Sequence, residues 1–171
     1  MNFTCAVQLN WQKKGRGWTN PNPMVGAVIV KNGSIIGEGY HEKCGELHAE
    51  RNAIASLTES AEGATLYVTL EPCCHYGKTP PCTEAILEQK IARVVIGSRD
   101  PNPKVSGKGA KILREAGVRV EEDFLREECD ALNPVFFLLY HNRAALCGDE
   151  IRNDGRRKDC DKNRSIKMDI R

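Results

Sequence analysis

The Asn32–Gly33 pair lies between two short apolar segments and restricts the fold more than any other feature of the sequence. Asn-Gly favours the two-residue turn of a β-hairpin, because both of its residues tolerate positive φ. The segment 25–30 before it is apolar except for small residues, which predicts a buried strand. The segment 35–40 after it is predicted to be the returning strand, weakened by Gly37 and Gly39.

Strand-like and helix-like segments alternate after this hairpin. Further strands are predicted at 66–70, 94–96 and 118–120, and helices at 3–14, 48–57, 79–89, 109–115 and 125–139. Thr79 is predicted to cap the third helix, with Pro80 in its first turn, and Pro134 is expected to break the last one. Strands that alternate with helices after a hairpin predict an α/β fold, a three-layer α/β/α sandwich around a mixed five-stranded sheet.

Composition narrows the classes of function. The sequence has no apolar run of 18 residues and no basic, apolar leader, so we expect a cytoplasmic protein with no membrane span. Residues 1–140 contain 16 basic and 17 acidic residues, which argues against a nucleic-acid partner. Residues 141–171 are polar, with 9 basic and 6 acidic residues, and are predicted to be a poorly ordered tail. Eight cysteines without an export signal favour reduced thiols, some of them on a metal.

Three residues are candidate zinc ligands: His48, Cys73 and Cys82. Imidazole and thiolate are good zinc ligands, and a catalytic zinc keeps three protein ligands plus one water, which the metal acidifies. Glu50 follows His48 by two residues, so a helix starting here would bring a carboxylate to the same pocket, where it can transfer protons. His-x-Glu followed by Pro-Cys and a later Cys is the pattern of zinc nucleobase deaminases.

Other interpretations of the same residues remain open at this stage. A lone His-x-Glu is usually a surface pair on a helix, and two cysteines after a proline also occur by chance. A structural zinc site would need a fourth ligand, which Cys74 or His75 could supply.

Four stretches of the sequence resemble the deaminase domain of the bifunctional riboflavin-biosynthesis deaminase/reductase family. They are Thr19 to Val30, His48 to Glu50, Thr69 to Cys82, and Asp100 to Pro103 with Gly107 and Gly109. The long Cys73 to Cys82 spacing is the specific part, because related tRNA adenosine deaminases usually place only two residues between these cysteines. The resemblance covers about residues 1–140.

The resemblance implies a cytidine-deaminase-like fold and one Zn²⁺ per chain on His48, Cys73 and Cys82, with Glu50 as proton shuttle. It implies the substrate 2,5-diamino-6-(5-phosphoribosylamino)pyrimidin-4(3H)-one, whose amino-bearing ring carbon is attacked by zinc-bound hydroxide. The family's substrate contacts correspond to Asn22, His41, Lys78, Asp100 and Asn102. Lys78 suits a phosphate because its ammonium is a compact charge, and the prolines beside Asn22, Asp100 and Asn102 fix the backbone of these residues.

The family continues with a reductase domain, which this sequence lacks after Tyr140. We therefore predict a deaminase domain at 1–140, a tail at 141–171 and no reductase activity. Apolar residues that would face the missing domain are expected to be exposed and to favour a homo-oligomer; they are Phe136, Phe137, Leu138 and Leu139. The alternative functions are deamination of another nucleoside or of an RNA base, and a zinc-stabilised remnant without catalysis.

Overall fold

The computed structural model describes residues 18–19, 22–77, 79–103 and 105–140. The predicted helix at 3–14, the side chain of Lys78 and the tail at 141–171 lie outside these residues. No helix in the described ranges is long and apolar enough to cross a membrane.

Five strands form one mixed sheet in the described residues, as the sequence predicted. They are β1 (Gly26–Lys31), β2 (Ser34–Tyr40), β3 (Thr65–Leu70), β4 (Arg93–Ser98) and β5 (Arg119–Glu121). The strand order is β2-β1-β3-β4-β5. β1 pairs antiparallel with both β2 and β3, and β3, β4 and β5 run parallel. The hairpin prediction is confirmed: Asn32 and Gly33 have φ angles of 50° and 80°, as its two-residue turn requires.

Helices cover both faces of this sheet. They are α1 (Ala49–Ala55), α2 (Cys82–Glu88), α3 (Lys108–Glu115), α4 (Arg126–Asp130) and α5 (134–140). α1, α2 and α3 pack side by side against one face. α4 packs on the opposite face, where a Cβ atom at Gly97 would lie 2.4 Å from the Cys129 sulfur. The three-layer arrangement is therefore confirmed.

The core lies between the sheet and α1 to α3. Alternate strand residues face it and are 0% exposed: Ala27, Ile29, Leu66, Val68, Val94 and Ile96. Burying one such Val, Leu or Ile side chain stabilises the folded state by about 1.5–3 kcal/mol. Val28 and Val95 face the other side and are also buried, so the central strands are apolar on both faces.

Gly37 and Gly39 let α1 pack directly on β2. A Cβ atom at Gly39 would lie 2.4 Å from the Ala53 nitrogen, and one at Gly37 would lie 2.5 Å from the Ala53 oxygen. Real side chains do not approach a backbone this closely, so only glycine fits at these two positions. The glycines that weaken the strand in the sequence are thus what allows the helix to lie against it.

Two helix predictions differ from the structure by more than two residues. α2 begins at Cys82 with Pro81 as its N-cap, so the predicted cap at Thr79 was wrong. The loop before α2 is longer than predicted because Cys73 and Cys82 both contact the His48 side chain, as described below. The predicted helix at 125–139 is two helices, α4 and α5, which are separated by a turn ahead of Pro134, as expected for a proline inside a helical segment.

Candidate metal centre

α1 brings His48 and Glu50 to the carboxyl end of the sheet. His48 is the N-cap residue of this helix, with extended backbone angles (φ −74°, ψ 163°), and Glu50 lies in its first turn. Glu50 is only 3% exposed. Because α1 packs directly on β2 at Gly37 and Gly39, the backbone that carries His48 and Glu50 has little freedom to shift.

The two cysteines approach His48 from two other elements. Cys73 follows the end of β3, and Cys82 is the first residue of α2. The Cys82 N–H lies 3.4 Å from the Cys73 sulfur, and the Thr83 N–H donates to the Cys73 carbonyl at 3.2 Å. Arg51 of α1 donates to the Pro81 carbonyl at 2.9 Å, which ties the loop before α2 to the helix that carries His48.

The three donor atoms fit one zinc ion. His48 Nδ1 lies 3.4 Å from the sulfur of Cys73 and 3.4 Å from that of Cys82. Tetrahedral zinc with ordinary Zn–N and Zn–S bonds separates such atoms by about 3.5 Å. All three donor atoms lie within 4.8 Å of one another. The triad that the sequence predicted is thus assembled as a site for one zinc.

Cys74 and His75 do not join this cluster. Among the residues that the structure describes, the metal-binding group consists of the three predicted ligands alone. A centre with three protein ligands keeps a fourth position for water or substrate, which is typical of catalytic rather than structural zinc.

The charges of the triad are set by its own hydrogen bonds. Hydrogen bonds from the Cys82 thiol and from His48, opposed by burial, lower the pKa of Cys73 to about 4. The hydrogen bond between the two cysteines and burial raise the pKa of Cys82 well above its ordinary value. The contact with Cys73 raises the pKa of His48. Since a metal binds the deprotonated groups, zinc loading must release protons, and zinc affinity should fall in acid.

Glu50 is a carboxyl group held away from water next to the triad. Burial raises its pKa above the ordinary value, and the negative charge of Cys73 raises it further. A raised pKa makes a carboxyl group better able to hold a proton between accepting it and returning it.

A cavity of about 280 Å³ opens over this centre. His48, Glu50 and Cys73 line it, whereas Cys82 is fully buried behind it. The four predicted substrate contacts that lie in the described residues line the same cavity: Asn22, His41, Asp100 and Asn102. The structure therefore brings together residues from four separate loops of the chain.

The hydrogen bonds of His41 define its protonation state. Its Nδ1 lies 3.0 Å from the Leu47 carbonyl, which can only accept, so Nδ1 carries a proton. Its Nε2 lies 3.2 Å from the Asn22 side-chain nitrogen, which can only donate, so Nε2 is bare. Burial lowers the pKa of His41, in keeping with a neutral ring. The amide oxygen of Asn22 is then the group through which Asn22 can accept a hydrogen bond from a ligand.

Asp100 and Asn102 lie on one tight loop. The Asp100 carboxylate accepts the Asn102 backbone N–H at 2.8 Å, and the Asn102 carbonyl accepts the N–H groups of Val105 and Ser106, both at 2.8 Å. Burial raises the pKa of Asp100 from 3.8 to about 6, against the lowering effect of the Asn102 hydrogen bond; the negative charges of Glu71 and Cys73 add to the rise.

The raised pKa of Asp100 predicts a pH-dependent effect of Asp100→Asn on stability. Between pH 4 and 6 the unfolded chain loses the Asp100 proton before the folded protein does, so the folded state loses stability as pH rises. Asparagine keeps the accepting oxygen without the charge. We expect the variant to melt a few degrees above the parent at pH 8 and at nearly the same temperature at pH 4. A melting difference that does not change with pH would contradict this assignment.

Several residues of the site were not found from the sequence. Phe136 and Tyr140 of α5 line the cavity, with their ring centroids 5.1 Å apart. Asn133 forms two 2.8 Å hydrogen bonds with the backbone of Met24, donating to its carbonyl and accepting from its N–H. These bonds tie the start of α5 to the segment that carries Asn22. In the sequence, Asn133-Pro134 indicates only a turn. The i, i+4 spacing of Phe136 and Tyr140 indicates one face of a helix but not which part of the protein that face contacts.

The prediction that residues 136–139 are exposed is correct for two of them. Leu138 and Leu139 are 59% and 54% exposed, and Val135 beside them is 66% exposed. Phe136 and Phe137 are half-buried instead. For Phe136 the reason is its place in the cavity wall.

The fold and the metal centre define the class of a zinc-dependent deaminase. The family model of the cytidine and deoxycytidylate deaminase zinc-binding region matches residues 3–98. RibD of Acinetobacter baumannii has a similar solved structure, with a TM-score of 0.78 and 46% identity over 81% of this chain and 39% of that one.

Curated relatives place the chain within that class. The riboflavin biosynthesis protein RibD of Actinobacillus pleuropneumoniae is 65% identical over 73% of this chain and 33% of its own length. The diaminohydroxyphosphoribosylamino-pyrimidine deaminase of Buchnera aphidicola subsp. Schizaphis graminum is 52% identical over 79% of this chain and 90% of its own length. The chain belongs to the riboflavin-biosynthesis deaminases of the cytidine deaminase-like superfamily. It spans about a third of the length of the RibD relatives.

Proposed function

We propose that the protein hydrolyses 2,5-diamino-6-(5-phosphoribosylamino)pyrimidin-4(3H)-one to ammonia and the corresponding 5-aminouracil compound. The main support for this proposal is the three-ligand metal centre with a buried carboxyl group beside it in one small cavity. Relatives named as deaminases of this compound support the substrate, above all the one that this chain covers over 90% of its length.

The reaction replaces the bond between the ring carbon and its amino nitrogen with a bond to oxygen. Zinc, when bound by His48, Cys73 and Cys82, supplies the Lewis acidity that makes water nucleophilic near neutral pH. The water oxygen bonds to the ring carbon, the bond from that carbon to the amino nitrogen breaks, and ammonia leaves. Glu50 takes a proton from the water and delivers it to the departing nitrogen, which its burial and raised pKa make feasible.

The remaining cavity residues suit a polar ring that carries a sugar phosphate. Asn22 offers an amide oxygen, and neutral His41 holds that amide in place. Asp100 and Asn102 offer acceptors and donors on a loop that is already folded. Phe136 and Tyr140 give the cavity an aromatic wall, against which a flat heterocycle can stack. We propose that Lys78 binds the phosphate, and this proposal rests on the sequence.

Replacing Lys78 with alanine should weaken substrate binding without stopping the chemistry. A lysine contributes a charge-assisted hydrogen bond to a phosphate, so KM should rise about 10- to 100-fold with little change in kcat. Steady-state kinetics on the precursor provide the measurement. Lys111→Ala is the control, because Lys111 is 73% exposed on α3 and, among the residues that the structure describes, forms an ion pair with Glu115 alone. An unchanged KM for the Lys78 variant would remove Lys78 from the phosphate site.

Substrate choice separates this proposal from its alternatives. The zinc-loaded protein should release ammonia from the riboflavin precursor and at background level from cytidine and from transfer RNA. Faster release from either of the latter would assign the site to a nucleoside or an RNA base. If none of the three substrates releases ammonia, the result would support a zinc-stabilised protein without catalysis.

Three finer features are also part of the proposal. Residues 1–140 are proposed to be the deaminase unit. Self-association is proposed through the exposed apolar residues Val135, Leu138 and Leu139 of α5, and a monomeric mass in sedimentation velocity would exclude it. A cytoplasmic location is supported by the need for reduced cysteines at the metal centre, and cell fractionation would test it.

A further inference from the structure

The Glu71 carboxylate is buried and accepts hydrogen bonds from a distant segment of the chain. Glu71 follows β3 and is 3% exposed. One oxygen accepts the backbone N–H groups of Gly109 and Ala110 at 3.1 and 3.3 Å, and the other accepts those of Gly107 and Asp100 at 3.0 and 3.4 Å. No lysine or arginine in the described ranges forms an ion pair with it.

We propose that Glu71 is a positioning residue that holds the substrate-binding loop in register with the metal centre. The inference rests on the proposed function, because it concerns how Asp100 and Asn102 are presented to the substrate. Glu71 lies two residues before Cys73, and its own N–H donates to the Ser98 carbonyl at 2.9 Å. Its backbone is thus part of the sheet, whereas its side chain holds the loop that carries Asp100 and Asn102.

The segment opposite Glu71 is shaped to meet this carboxylate. Gly107 has a φ angle of 73°, a left-handed conformation that glycine adopts without strain. Gly109 lies so close to the loop before Cys73 that a Cβ atom there would be 2.2 Å from the Pro72 oxygen. The N-terminus of α3 also favours a negative charge. The carboxylate therefore joins the end of β3, just before Cys73, to Asp100 and to the segment 107–110.

A carboxylate suits this place better than an amide. Both of its oxygens accept, and each is used by two N–H groups. The amide of glutamine has one accepting oxygen, and its NH₂ group would face N–H donors. Glu71→Gln should therefore release one half of the contacts while keeping the size of the side chain.

The test is a double-mutant cycle between Glu71→Gln and Asn102→Ala, measured on the zinc-loaded protein with the riboflavin precursor. Glu71→Gln alone should raise KM about tenfold or more, lower kcat less, and leave one zinc per chain. In the Asn102→Ala background the same change should have a much smaller effect on KM, because the group it positions is absent. Equal effects in both backgrounds, or loss of zinc, would overturn the proposal.

A second pair of variants separates positioning from general stability. Gly107→Ala leaves Glu71 intact but strains the loop at a positive φ, so it should raise KM in the same way, and an unchanged KM would count against the link. Ser98→Ala removes the side-chain hydrogen bond to Asp130 and should lower the melting temperature with KM unchanged.

Amide hydrogen exchange tests the link without any substrate. In Glu71→Gln, protection should fall at one of the two donor pairs, either Gly109 with Ala110 or Gly107 with Asp100. It should stay high at both pairs in Ser98→Ala. Retained protection at both pairs in Glu71→Gln would overturn the proposal. Failure of the proposed function is distinguishable, because then the parent protein itself releases no ammonia from the precursor while the exchange result stands.

Discussion

Glu50→Gln should abolish ammonia release from the precursor while the protein keeps its zinc. The amide cannot take a proton from water or return one to the leaving nitrogen, and general acid–base catalysis of this kind contributes about 10²- to 10⁴-fold to the rate. Glu50 is not among the three metal-binding residues, so zinc content should stay at one per chain. Because burial opposes the charge of Glu50, removing that charge should not destabilise the fold.

The measurement for Glu50→Gln is kcat alongside metal analysis of the same sample. Glu115→Gln is the matched control, since it makes the same change on a helix at a side chain that is 65% exposed and remote from the cavity. Turnover within a few-fold of the parent would refute the role of Glu50. Loss of zinc would mean that its carboxylate belongs to the metal centre instead.

Cys82→Ser should remove the zinc, the activity and a large part of the stability. Serine does not ionise to a thiolate-like ligand, and at this fully buried position no other ligand can replace the sulfur. A ligand bound at about 1,000 times its Kd stabilises a protein by about 4 kcal/mol, so loss of the metal should lower Tm by about 10 °C. A strong chelator should move the parent protein to the same Tm.

Cys74→Ser is the matched control for Cys82→Ser. Cys74 is next to Cys73 in the chain but contributes no atom to the metal-binding group. The control should therefore keep one zinc per chain and its turnover. Retention of zinc in Cys82→Ser, or its loss in Cys74→Ser, would require a different ligand set.

The sequence predicted those features that depend on local chemistry. Asn32–Gly33 could be recognised as a hairpin turn because its backbone angles are a local property. The metal ligands could be recognised because imidazole and thiolate side chains at His-x-Glu and Pro-Cys spacings serve few other purposes together. The loop residues Asn22 and Asp100 were predicted as substrate contacts through the family resemblance, and both line the cavity.

The features that escaped prediction depend on contacts between distant segments. Glu71 accepts N–H groups from residues 29 to 39 positions further along the chain, and no local signal marks such a partner. Asn133 binds the backbone of Met24 at a separation of 109 residues. The start of α2 at Cys82 was missed because Thr79 and Pro80 form a good local capping signal, which the requirements of the metal centre override.

The contact of α1 with β2 at Gly37 and Gly39 limits the substitutions that this enzyme can tolerate. Neither glycine touches the zinc ligands or lines the cavity, yet any larger residue would push away the helix that carries His48 and Glu50. In a library of all single substitutions, these two positions would tolerate as little as the ligands do. Intolerance there would reflect the lack of space between two backbones, and a search for reactive groups guided by mutational sensitivity alone would assign them a chemistry they do not have.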